Sequence, residues 1–217
     1  MPRTPLEKGM EKIRSEVIEL GNVAKQAVLL SVEALKERNM QKARKVEELE
    51  EKSDLLNLDI DESALKLMAL QQPVARDLRF VNAMIKISDN FERIADLALK
   101  IAEIAQKYEE KELLKPLIDI PRMAATIAEM IDLDLEAIEK HASPSTDKLV
   151  EMDDFLDELY TQIYNELISF MVRDPRTIDD ATDLLFVARY LERIGDIAAK
   201  TGARVVYMVE GRRVWVK

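Results

Sequence analysis

Apolar residues recur along this chain at steps of three and four over six long stretches, the spacing of one buried helical face. Residues 6–38 place Ile13, Val17, Leu20, Ala24, Ala27, Ser31 and Leu35 in one stripe, and Asn39 marks the stop. A second stripe, Val46, Leu49, Ser53, Leu56, Ile60, Ala64 and Leu67, predicts a helix over 40–70, ended by Gln71-Gln72-Pro73. Pro73 fits the first turn of a third helix running to Lys107. Lys111 to Lys115 reads as a link, and Pro116 to Pro121 lead into a fourth helix reaching Lys140. Ser143 is the expected N-cap of a fifth helix over 144–172. Arg173-Asp174-Pro175 separates it from a sixth over 175–210, closed by Gly211.

The six stretches are two sets of three. Residues 33–68 align with 136–171 at an offset of 103 without a gap, matching Leu49 to Met152, Leu56 to Leu159 and Ile60 to Ile163. The connection before the third helix is three residues shorter in the second half. The offset is then 100 for FERIADLALK (Phe91 to Lys100) and LERIGDIAAK (Leu191 to Lys200). Such a repeat predicts an all-α chain of two tandem, sequence-duplicated three-helix bundles with antiparallel neighbours, residues 1–112 and 113–217.

The acids follow the same repeat. On the third helix Asp89, Glu92 and Asp96 form one line beside the apolar stripe Val81, Met84, Ser88, Phe91, Ala95, Ala98 and Ala102. A second apolar patch, Ile94, Leu97, Ile101 and Ile104, lies on the far side. Glu192 and Asp196 repeat the acidic line on the sixth helix, where Gly195, like Ala95 and Ala98, permits close approach of a neighbour. The second helix offers Glu47, Glu50, Asp54 and Asp61, and the fifth Asp153 and Asp157; the 103-residue offset sets Glu50 on Asp153 and Asp54 on Asp157. Each bundle thus carries two i,i+4 acid pairs on consecutive antiparallel helices, able to face each other. Four clustered carboxylates repel and require a cation, a basic side chain or protons. All-oxygen donors suit hard or borderline cations. Against this, 42 acids in 217 positions give roughly eight acidic i,i+4 pairs by chance, mostly on solvated faces. Duplication also copies surface along with function.

Composition narrows the classes. Apolar residues make 47% and charged residues 34%, which describes a globular chain rather than a disordered one. The absence of Cys excludes disulfides and thiolate sites and fits a reducing compartment. A net charge of −10 argues against nucleic-acid binding. No apolar run reaches a membrane span and MPRTPLEKGM lacks a signal-peptide core, so the expected location is cytoplasmic. No phosphate loop or Ser-His-Asp set is present, and the one His, His141, falls in a loop without an assigned role. Two Glu-x-x-His motifs of a ferritin-like di-iron site are therefore ruled out, which favours a binding or regulatory protein over an enzyme. Arg93 and Arg193 are read as surface ion-pair formers. Arg76, Asp77 and Arg79 open the third helix in a structural role. Trp215, in the tail RRVWVK, is a candidate to dock on the bundle, on a partner or at a membrane surface.

The run Leu70-Gln71-Gln72-Pro73-Val74-Ala75-Arg76-Asp77-Leu78-Arg79, then Lys86-Ile87-Ser88-Asp89, Glu92-Arg93-Ile94-Ala95-Asp96 and Ala181 to Asp196, resembles the PhoU family of phosphate-signalling regulators. The resemblance covers nearly the whole chain. It implies metal binding through E(D)xxxD motifs, carried here by Glu50, Asp54, Glu92 and Asp96 and by Asp153, Asp157, Glu192 and Asp196. Glu47 and Asp61 compete for the second-helix assignment; Asp89 matches a further acid of the family, but its counterpart in the repeat is Arg189, so any role there is asymmetric. The ion is left open among iron, Mn, Mg, Zn and Ca. The implied function is negative control of the phosphate starvation response, by contact with a phosphate ABC transporter's ATPase and a sensor histidine kinase. A homodimer and peripheral association with membrane complexes go with it. The rival readings are an accessory protein of a low-affinity phosphate carrier, a carboxylate-bridged metal enzyme and a helical adaptor whose acids bind nothing.

Overall fold

A computed structural model describes residues 4–214; Trp215 lies outside the described residues. The described chain is all helical: α1 (Pro5–Glu37), α2 (Met40–Gln71), α3 (Ala75–Gln106), α4 (Asp119–Lys140), α5 (Thr146–Arg173) and α6 (Ile178–Glu210). A single 3₁₀ turn, Pro175–Thr177, precedes α6. Each predicted stripe is where a helix buries itself. All seven α1 stripe residues and all seven of the main α3 stripe are buried. On α2 the stripe is buried at Val46, Ser53, Ile60, Ala64 and Leu67, and half-buried at Leu49 and Leu56.

Helices α1–α3 pack on one another, as do α4–α6, and the two sets join through α3 on α6 and α1 on α4. The second apolar patch of α3 explains that junction. Ile94, Leu97, Ile101 and Ile104 are buried. They continue a helical line whose ends reach α6: the Asn90 amide donates to Thr201 Oγ1 (2.9 Å), and the Tyr108 hydroxyl lies 3.4 Å from Asp180 Oδ1. Lys107–Asp183 (2.7 Å) and Lys25–Asp132 (2.6 Å) fasten the edges of the junction. Exposed pairs of this kind contribute little each, so burial of the apolar lines decides the packing.

Helix ends depart from expectation at specific residues. Arg38, in the left-handed region (φ 53°), ends α1, while Asn39 accepts from the Gln41 and Lys42 amides and so starts α2 rather than stopping α1. Pro73 is buried ahead of α3, whose N-cap is the extended Val74 with no side-chain cap. The N-cap of α5 is Ser145, not Ser143; the Ser143 hydroxyl donates instead to Glu210. His141 is the left-handed C-cap of α4, where its Nε2 meets Arg76 Nη2 at 3.1 Å. Arg79 donates from Nε to the Met208 carbonyl near the end of α6 (3.2 Å). Arg76 and Arg79 thus tie α3 to the second bundle, in the structural role expected for them.

One core position is out of character. Asp134 on α4 is fully buried, and neither carboxyl oxygen has a hydrogen-bond partner among the described residues. It occupies the place that Ser31, also buried, holds one repeat earlier on α1. It faces Gly202 of α6: a Cβ there would stand 2.8 Å from Asp134 Oδ1 and 2.3 Å from Leu149 Cδ1, so only glycine admits this approach. Burial pushes the Asp134 carboxyl well above the usual carboxylate range. A folded pKa above the unfolded value of about 4 gives stability that is complete below that value and is lost as the pH rises. Asp134→Asn, a neutral isostere, is therefore expected to raise the thermal midpoint by at least about 2 °C at pH 8. The difference from the unchanged chain should shrink toward pH 4, which thermal melts across that range will measure.

Candidate functional site

The eight predicted acids fall into two groups, one per bundle. In the first, α2 presents Glu50 and Asp54 and α3 presents Glu92 and Asp96. The Glu50 carboxyl lies in hydrogen-bonding range of Asp96, across the α2–α3 seam. Burial, then Asp54 and Asp96, push it above the usual carboxylate range. Glu92 is raised likewise by burial, then by Asp96, Asp54 and Asp89, with Arg93 opposing. Glu50 and Glu92 are half-buried at the core's edge, while Asp54 and Asp96 are exposed. The antiparallel packing of α2 on α3 brings the pairs together, because each pair borders the stripe its helix buries.

In the second bundle Glu192 of α6 feels Asp196 on its own helix and Asp157 and Asp153 across on α5. Burial is the largest influence and raises it; Arg189 opposes. Asp153 is buried, and Glu192 Oε2 is shielded from solvent with no hydrogen-bond partner. Close approach of α5 is possible because of Gly195, where a Cβ would stand 2.3 Å from Leu156 Cδ1.

The two groups differ in compensation. Arg189 bonds Glu192 at 2.8 Å and lies over the Tyr160 ring; Lys200 bonds Asp196 at 3.0 Å. In the first bundle the counterpart of Arg189 is Asp89, paired with Lys86 (2.9 Å), and the counterpart of Lys200, Lys100, turns to Glu103 (2.9 Å). Arg93 and Arg193 are exposed, and neither closes an ion pair among the described residues. Glu47 accepts from Gln106 (2.6 Å) and is drawn from the cluster. The sequence reading missed the bond from Ser88 to Asn57, one turn from the acids. Its signal was a Ser in the middle of an apolar stripe. The repeat replaces that pair with Ala188 and Tyr160.

Among the described residues, no three His, Asp or Glu side chains converge on one point as the ligands of an ion do. The donor chemistry nevertheless fits a hard cation: carboxylates raised by burial and then by one another's charge, two of them within hydrogen-bonding range, and a shielded oxygen without a partner among the described residues. Coordination would need rotation of side chains at the exposed edges of the clusters.

Two antiparallel three-helix bundles, each with an acid cluster on the seam of its last two helices, define the class: a duplicated helical-bundle protein with paired carboxylate surfaces. The PhoU domain model matches residues 17–105 and again 120–205, and the chain belongs to the PhoU family. It is 35% identical over 207 residues to a phosphate-specific transport system accessory protein PhoU homolog of Aquifex aeolicus, covering 95% of this chain and 94% of that one. A homolog of the same description from Methanothermobacter thermautotrophicus is 31% identical, covering 96% and 95%. The crystal structure of PhoU from Pseudomonas aeruginosa superposes with a TM-score of 0.87 at 28% identity, covering 94% of this chain and 99% of that one. The Streptococcus pneumoniae phosphate transport system regulatory protein PhoU shares the fold, with a TM-score of 0.85 at 22% identity over 97% and 99%.

Because Arg189 is the internal counter-charge of the second cluster, Arg189→Ala is expected to lower the thermal midpoint of chelator-treated protein. Lys86→Ala in the first bundle, removing an exposed pair, should leave it within about 1 °C. Melts of both variants in excess chelator will test the difference.

Proposed function

We propose that this chain is an accessory regulator of a phosphate-specific transport system, and that it restrains the phosphate starvation response by protein contact. The single observation that carries the reading is full-length similarity to proteins named as phosphate-specific transport system accessory proteins. In this reading the chain is cytoplasmic, works as a homodimer and associates peripherally with membrane complexes. Its contacts are a phosphate ABC transporter's ATPase subunit and a sensor histidine kinase. None of the described helices is long and apolar enough to cross a membrane, in keeping with a peripheral role.

The carboxylate clusters are the proposed metal centres. Glu50, Asp54, Glu92 and Asp96 would hold an ion in the first bundle, and Asp153, Asp157, Glu192 and Asp196 in the second. A hard or borderline cation there would neutralise the clustered carboxylates and bridge neighbouring helices. The chain's own residues prepare for it by holding acids at the edge of the core, where burial and mutual repulsion make uncompensated charge costly. No catalytic role is assigned to them: the only His of the sequence caps the end of α4, where it meets Arg76.

After chelation and reloading with Fe, Mn, Mg, Zn or Ca, elemental analysis is expected to find bound metal. Glu92→Ala combined with Asp96→Ala should remove the share belonging to the first bundle. Affinity capture of the tagged chain from its own phosphate-replete cells should recover the transporter's ATPase or a sensor kinase, in amounts that change on phosphate starvation. Recovery of a low-affinity carrier alone would move the assignment to that system.

A further inference from the structure

Two basic side chains of the first bundle meet the only histidine of the sequence where α1 and α3 reach the end of α4. Arg14 of α1 lies over the Phe80 ring, 5.5 Å from its centroid. The His141 ring lies against the same phenyl ring, with centroids 6.1 Å apart. Arg76 of α3 completes the group, its Nη2 standing 3.1 Å from His141 Nε2. In a chain of net charge −10, this group is short of negative charge. Glu11 answers Arg14 (3.2 Å), but Arg76 closes no ion pair among the described residues.

The hydrogen bookkeeping leaves two donors over. An arginine only donates, so His141 Nε2 accepts from Arg76, and the proton of the neutral imidazole sits on Nδ1. Burial, then the charges of Arg14 and Arg76, push this imidazole below its ordinary value and keep it neutral. Its Nδ1 is shielded from solvent and meets no partner among the described residues, and Arg14 Nε is in the same position. Neighbouring N–H groups withdrawn from water without acceptors are costly. The other end of the duplicated frame shows the contrast. Arg38, the counterpart of His141, is likewise a left-handed C-cap, and Arg176 is the counterpart of Arg76 at the 100-residue offset. There the cations are answered: Arg176 bonds Asp174 through Nε (2.9 Å) and Nη2 (2.7 Å), and Arg38 donates to the Lys111 carbonyl (3.4 Å).

We propose that Arg14, Arg76 and His141 form a binding site for a small tetrahedral oxyanion of the phosphate type, at the junction of the two bundles. The anion accepts from His141 Nδ1 and Arg14 Nε, and Arg76 turns its guanidinium from the imidazole to the anion. His141 Nε2, released, takes a proton from solvent. The shielded position of the donors suits a free ion rather than a phosphate group carried on a macromolecule. Arg14 and Arg76 belong to the first bundle and His141 to the second, so occupancy fastens α4 to α1 and α3. The proposal depends on neither the metal centres nor the transporter contact.

Because His141 is the only histidine, its ring protons give one set of imidazole signals in proton NMR. The titration uses chelator-treated protein, in which phosphate cannot bind through a metal. Inorganic phosphate, added at an ionic strength held constant with chloride, is expected to shift these signals saturably and to raise the pH midpoint of the imidazole. Arg14→Gln and, separately, Arg76→Gln should raise the phosphate concentration at half-saturation about tenfold or more. Arg176→Gln, at the counterpart position, should leave it unchanged. Far-ultraviolet circular dichroism will confirm that each variant stays helical. Signals that phosphate leaves unmoved, or moves in proportion without saturation as an adventitious ion only would, overturn the proposal. So does a saturable response indifferent to both Arg14→Gln and Arg76→Gln, or weakened equally by Arg176→Gln.

Discussion

Helix α3 buries two faces at once, and the rest of the molecule hangs on that double burial. One face, from Val81 to Ala102, packs within the first bundle; the other, Ile94 to Ile104, is buried at the junction with α6. A helix committed on both sides has little circumference left. The acids Glu92 and Asp96 occupy the remaining strip, directly against buried residues. Their position at the edge of the core results from the packing, and so does their exposure to one another's charge. An acid on a fully solvated face would be screened by water; Glu92 is half-withdrawn from it.

The duplication fixed a common frame and then let the halves diverge at the same few positions. Asp89 and Arg189 occupy equivalent places with opposite charge, and Lys100 and Lys200 choose different partners. The Asn57–Ser88 bond in the first half gives way to Tyr160 stacked under Arg189 in the second. Ser31, satisfied by the Val28 carbonyl, is matched by the unpartnered Asp134. The Asp89–Arg189 exchange and the turn of Lys200 to Asp196 both move positive charge toward the second cluster. Among the described residues no basic side chain is bonded to the acids of the first cluster, while the second is partly neutralised by its own side chains. The two acid groups are therefore unequally neutralised from within, despite their shared descent.

Most of the fold was legible because helical periodicity is a long-range signal: over 30 residues, a stripe such as Ile13 to Leu35 admits one reading. The acid grouping was legible for the same reason, since i,i+4 spacing and the repeat offset set the faces. The helix ends were harder. Pro73 satisfies the rule for a first-turn proline, yet the chain places left-handed Gln72 and extended Val74 around it and opens α3 with no capping side chain. At the start of α5, Ser143 and Ser145 are equally good caps on paper, and only the proximity of Glu210 draws Ser143 away. Asp134 was the clearest omission. It stands in the core stripe of α4 one repeat from Ser31, and carrying the 103-residue alignment two residues further would have exposed it.

Asp134 and the two clusters answer the same problem differently. A carboxyl at the margin of a core can keep its charge if a counter-ion is supplied, as Arg189 does for Glu192. It can hold a proton more readily, as burial and the charge of its neighbours make Glu50 do. Or it can give up its charge, which full burial without a partner demands of Asp134. The acids in the first two states border solvent along the α2–α3 and α5–α6 seams. The third does not, because α1 and α6 cover α4 and Gly202 closes over the carboxyl. The seam acids thus border solvent while the core acid is closed off from it.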